Sequence, residues 1–143
     1  MTKKNTQHIT MEIPSDAEHI STVRLAISGI ASRMAFSIED IEDMKIAVSE
    51  ACTNAIQHAY DTEEGRISIL CCLEKGKLEV KVKDTGRGFD LEHIGTPEQI
   101  EKSLEKKGMG LGLTFIRNLM DETNIETSLG QGTTITMAKS ISN

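Results

Sequence analysis

The chain has no tryptophan, one tyrosine and three phenylalanines among 143 residues. Its core therefore has to be built from Ile, Leu, Val, Met and Ala. No apolar run approaches the ~20 residues that a membrane-crossing helix needs. The start, MTKKNTQHITMEIPSDAEH, is polar after its two lysines and lacks the apolar centre of a signal peptide. Cationic excess is missing too. A formal charge of −6 argues against a nucleic-acid or anionic-membrane surface, because both need clustered Lys and Arg. The cysteines, Cys52, Cys71 and Cys72, are odd in number and lack CxxC spacing. That argues against a disulfide framework and against a zinc site. These absences lead us to expect one domain over residues 1–143, in the cytoplasm, with cysteines serving as small apolar residues.

What is present falls into a clear order of elements. HITMEIP alternates and stops at Pro14, as an edge strand does. Ser15 followed by Glu18 fits a capping box, and Ile20, Val23, Ile27, Ile30 and Met34 then form a helical stripe. Ser37 and Asp40 mark a second helix start, carrying Ile41, Met44, Val48, Cys52 and Ala55 and ending near Tyr60. RISILCCL and KLEVKVKD read as a hairpin around Glu74, Lys75 and Gly76. Periodicity is lost between Gly86 and Gly108, with room for a short helix around Gln99 to Lys106. GLTFIRNLMDE is helical again, with Phe115, Ile116, Leu119 and Met120 as its apolar stripe, and NIETSLGQGTTITMA is a second hairpin turning at Gly130, Gln131 and Gly132. Paired strands with helices between them predict a two-layer α/β sandwich, its sheet mixed but mainly antiparallel, with helices on one face.

Three groups of residues carry possible chemistry. On the second helix Glu50, Asn54 and His58 follow at i, i+4 spacing and share one face. They read either as a solvated face or as a site. Ala47, Ala51, Ala55 and Ala59 beside them suggest that something approaches this helix closely. An Asn oxygen suits Mg²⁺, which takes few protein ligands, and a Glu one turn earlier suits a proton acceptor. DTGRG, residues 84–88, follows a strand, and GMGLG, residues 108–112, opens a helix. Such glycines are either ordinary turns or a backbone cradle for an anion at a helix N-terminus. Asp84 either shapes its turn or accepts hydrogen bonds from an exocyclic amine. Three nucleotide folds are excluded: there is no GxxxxGK, no third glycine at Leu113 for a dinucleotide fingerprint, and no HRD or DFG.

EACTNAIQHAY, DTGRGFD, GMGLGL and GQGTT stand in the order of the N, G1, G2 and G3 boxes of the GHKL ATP-binding superfamily. Within it, IEDMKIAVSEACTNAIQHAY and the LMDE after the G2 box resemble the bacterial anti-sigma serine kinases of the anti-sigma-B type, with the sporulation anti-sigma-F kinases next. The resemblance spans essentially the whole chain and implies the Bergerat fold. It implies that Asn54 coordinates Mg²⁺, that Glu50 is the general base, and that His58 lies on the same nucleotide face. Asp84 would bond the adenine amine, with Gly86 and Gly88 shaping the pocket. Residues 89–107 would be the ATP lid. Gly108, Gly110, Leu111 and Gly112 would cradle phosphates, Lys106 or Lys107 would reach the γ-phosphate or face solvent, and Thr133 would lie near the base.

The same resemblance implies a homodimer that sequesters an alternative sigma factor and phosphorylates a serine on a small anti-anti-sigma protein of the STAS type. Arg24 falls where the sporulation members meet sigma, and reads equally well as an unengaged surface arginine. Two features depart from the family: the lid is short and Lys-rich, and the chain stops at Asn143 where the anti-sigma-B type usually runs on. Two competing readings remain. One is an inactive module of the same fold in which nucleotide only gates protein binding. The other is an excised histidine-kinase ATPase domain, against which stands the absence of histidine-bearing dimerisation helices.

Overall fold

The computed structural model describes residues 6–58, 65–85, 110–128 and 132–141. The edge strand β1, Gln7–Pro14, leads through a short 3-10 turn, Ala17–His19, into α1, Ile20–Ser32, and then α2, Ile38–His58. Strands β2, Arg66–Glu74, and β3, Lys77–Asp84, follow; α3, Gly110–Leu119, precedes β4, Glu122–Ser128, and β5, Gly132–Ser140. The sheet order is β1-β2-β3-β5-β4, and every pairing is antiparallel. The expected two-layer sandwich is therefore present, with a wholly antiparallel sheet among the described residues.

Each element has a local cause. In β2 and β3, Ile67, Ile69, Cys71, Leu73, Leu78, Val80 and Val82 alternate inward against the helices. Gly76, with φ of +76°, takes the left-handed corner between them. The Ser37 hydroxyl accepts from the Asp40 N–H at 3.0 Å and so caps α2 as the sequence predicts. Ser15 does not act as the expected cap. It is buried, and its N–H donates to the Gly65 carbonyl at 2.9 Å, tying β1 to the start of β2. Asp16 caps instead, accepting from the Glu18 N–H at 3.1 Å. Ala35, at φ of +70°, makes the reversal between α1 and α2, a strained choice for a residue with a Cβ. Phe36, buried, anchors the chain directly after it.

Helix α2 packs between α1 and α3 and also touches β3 and β5, so it is the centre of the helical layer. Ala47 and Ala51 are fully buried and Ala55 nearly so. These three alanines do not open the helix to a ligand; core packing consumes them, since small side chains let neighbouring helices approach, and Ala59 lies outside the described residues. Cys52 and Cys71 lie in the same core, where burial pushes their thiols up to about 12 and about 11. Both are packing groups, as the sequence predicts. No helix of the described residues is long and apolar enough to cross a membrane.

Candidate functional site

The site lies where α2 meets the start of α3. Asn54 is only 6% exposed, and its Nδ2 has no hydrogen-bond partner among the described residues. An unpaired buried amide costs about 1–3 kcal/mol, and such a group in a folded protein asks for an explanation. Gly112, in the first turn of α3, faces it directly. A Cβ on that glycine would stand 3.0 Å from Asn54 Nδ2 and 3.1 Å from Oδ1. Glycine here keeps the helix N-terminus, with its outward N–H groups and positive dipole end, against the asparagine. Glu50, one turn earlier on α2, is half-buried, and with Gly112, Thr114, Phe115 and Asn118 it lines a groove of about 380 Å³. The sequence singled out Glu50, Asn54 and Gly112; the fold brings all three together.

A second cluster closes the end of the sheet. Asp84, the last residue of β3, is 5% exposed, and its Oδ1 accepts from the Thr133 N–H across the sheet at 3.3 Å. Thr133 is itself buried, with its Oγ1 2.8 Å from that of Thr127. Gly132 explains the close approach: at φ of +88°, an added Cβ would collide with the carbonyl oxygen of Asp84. The pairing joins the first glycine motif to the last, two stretches far apart in sequence. A buried carboxylate that accepts from a backbone N–H fits recognition of a polar ring edge.

The remaining sequence candidates divide. His58 and Leu111 lie on α2 and α3 by backbone, and Gly110 opens α3. Gly86, Gly88, the 89–107 lid, the helix around Gln99 to Lys106, Lys106, Lys107 and Gly108 lie outside the described residues, as do Tyr60, Gly130 and Gln131. Arg24 is exposed on the outer face of α1, beside Leu25, which is 74% exposed.

Sequence reasoning missed Lys139. It is 9% exposed on the inner face of β5, donates to the Leu119 carbonyl at the end of α3, and lies 3.9 Å from both Asp40 and Asp43 near the start of α2. The available signal was a lysine in phase with the buried Ile135 and Met137. Thr114, Phe115 and Asn118 were missed as well, because nothing local reveals that this face of α3 meets Glu50.

The residues present fit Mg-ATP. The oxygen of Asn54 is a suitable ligand for a hard cation, and its unpaired nitrogen leaves a donor for a phosphate oxygen. The Gly112 cradle admits that phosphate end. Among the described residues no group of three His, Cys, Asp or Glu gathers to hold a metal by protein ligands alone.

A glycine at a helix N-terminus facing a buried, unpartnered amide, with a buried carboxylate at the strand ends, marks the candidate site on an antiparallel α/β sandwich. The chain belongs to the histidine kinase-like ATPase family, whose domain description matches residues 13–139. It is 43% identical over 139 residues to Serine-protein kinase RsbW of Bacillus cereus, a match covering 94% of this chain and 86% of that one. The RsbW of Bacillus anthracis matches equally well. Among solved structures, the RsbU and RsbW domains of a Mycobacterium tuberculosis protein share the fold with a TM-score of 0.69 at 23% identity, over 94% of this chain and 32% of that one. A blue-light activated histidine kinase domain from Erythrobacter litoralis matches with a TM-score of 0.55 at 25% identity, over 99% of this chain and 66% of that one.

Proposed function

We propose that the chain is a serine-protein kinase and anti-sigma factor, which sequesters an alternative sigma factor and phosphorylates a serine on an anti-anti-sigma protein of the STAS type. The observation that supports it most is the buried, unpartnered amide of Asn54, set against Gly112 and one turn from Glu50. ATP is the phosphoryl donor, and the Asn54 oxygen would hold a Mg²⁺ ion that would offset the charge of the phosphates.

The chain's own residues do the rest. Glu50 accepts the proton of the seryl hydroxyl as that oxygen bonds to the γ-phosphorus, while the bond from that phosphorus to the bridging oxygen breaks and ADP leaves. The N–H groups opening α3, at Gly110, Leu111 and Gly112, stabilise charge on the transferred group, and the resemblance adds Gly108 to them. Asp84 accepts from the adenine amine, with Thr133 holding the carboxylate in place and Gly86 and Gly88 completing the pocket. The resemblance assigns residues 89–107 as the ATP lid, Lys107 to the phosphates and His58 to the same nucleotide face. Arg24 belongs to the sigma-facing surface of a homodimer, in the cytoplasm.

The second reading is a nucleotide-gated binding module of the same fold. Glu50 stands against it, because a carboxylate beside bound phosphates repels them and helps only if it takes a proton. Radiolabelled Mg-ATP incubated with the chain and the anti-anti-sigma protein of its own genome separates the two. Phosphoserine on the acceptor is the expected product. ATP binding without any transfer would establish the binding module.

A further inference from the structure

We propose that the groove between α2 and α3 receives the serine-bearing segment of the acceptor protein, with Phe115 and Asn118 gripping the residues that flank the serine. The inference rests on the kinase reading above and adds to it a surface for the second substrate.

Position supports it first. The groove is walled by Glu50 and Gly112 at one end and runs along α3 past Thr114, Phe115 and Asn118. Its described lining includes Glu50 and Gly112 of the proposed phosphoryl-transfer end and neither Asp84 nor Thr133 of the proposed base end. A hydroxyl entering there meets the proton acceptor and the transferred group together, as an acceptor must.

The side chains support it next. Thr114, Phe115 and Asn118 lie on one face of α3 at i, i+3 and i, i+4 spacing. Leu113, Ile116 and Met120 already supply the buried face of this segment, so Phe115, 45% exposed, is not required by the core. An aromatic ring left in water beside a reactive carboxylate is typical of a contact that forms only with a partner. Asn118 and Thr114, one turn apart, offer the donors and acceptors that an extended peptide backbone needs.

Charge limits the occupant. Glu50 is the one charged side chain in the described lining, so the groove favours a serine flanked by uncharged or basic residues and disfavours an acidic neighbour.

The test is steady-state phosphotransfer by Phe115→Ala and Asn118→Ala, singly and together, with the anti-anti-sigma protein as acceptor and ATP affinity measured in parallel. Both side chains are exposed, so the variants fold. The double variant should raise the acceptor KM about tenfold or more while the ATP Kd stays within about twofold. An unchanged acceptor KM overturns the groove and leaves the kinase reading standing. An equal rise in the ATP Kd assigns the groove to nucleotide and also overturns it. A wild-type chain that binds ATP yet transfers nothing overturns the kinase reading, and the groove with it.

Discussion

At one end of the α2–α3 pair a buried ammonium is surrounded by oxygens; at the other a buried amide nitrogen has no partner among the described residues. Lys139 joins the last carbonyl of α3 to Asp40 and Asp43 in the first turns of α2. It thereby serves a helix C-terminus and places its charge beside carboxylates that suit a helix N-terminus. Asn54, diagonally opposite, faces a glycine where a side chain would have filled the space. Two antiparallel helices are thus fastened at one end and left incomplete at the other. The difference separates the two ends of this helix pair: Lys139 holds the frame, and the amide of Asn54, set against Gly112, is left for a ligand.

If that contrast is real, substitutions at the two ends act in opposite directions. The largest effect belongs to Asn54→Ala. It should lower affinity for Mg-ATP at least about 100-fold, near 3 kcal/mol. The same change removes an unpaired buried amide, so the ligand-free protein should hold its stability or gain about 1 kcal/mol. Calorimetric titration and urea denaturation of one sample read both quantities. A loss of stability without nucleotide would make Asn54 a frame residue and break the comparison.

Lys139→Ala comes next. Removing the partner of a buried group is costly, but Asp40 and Asp43 keep side-chain exposures of 21% and 30%. The expected loss is therefore about 2 kcal/mol, below the range for a fully buried pair. Thermal melting should show a drop of roughly 6 °C. Lys139→Met, which keeps the apolar stem, should recover part of it.

How far this was legible in the sequence depended on the range of the interaction. Alternation in β2 and β3, the Ser37 cap and the Gly76 corner are local, and the structure matches them. Glu50, Asn54 and Asp84 were singled out from residue chemistry within their own motifs, and Thr133 only through the family resemblance. The cap at Ser15 misled because a distant backbone carbonyl, Gly65, claims that residue. The alanines misled because helical spacing shows a small-residue face without showing what covers it; here the covering is the core itself. Lys139 and Asn118 went unread for the same reason, and Phe115, expected in the apolar stripe of its helix, is 45% exposed instead. Their meaning arises only when β5 lies under α3 and α3 lies beside α2.

The measurement that bears most directly on the account is to compare binding and transfer in Glu50→Ala. Mg-ATP is titrated calorimetrically into the variant, and phosphoserine on the anti-anti-sigma protein is then followed at saturating nucleotide. Binding close to wild type with transfer reduced at least about 100-fold is the predicted result, since a general base contributes about 10²–10⁴ in rate. Undiminished phosphorylation by Glu50→Ala would contradict the account and remove the carboxylate from the chemistry.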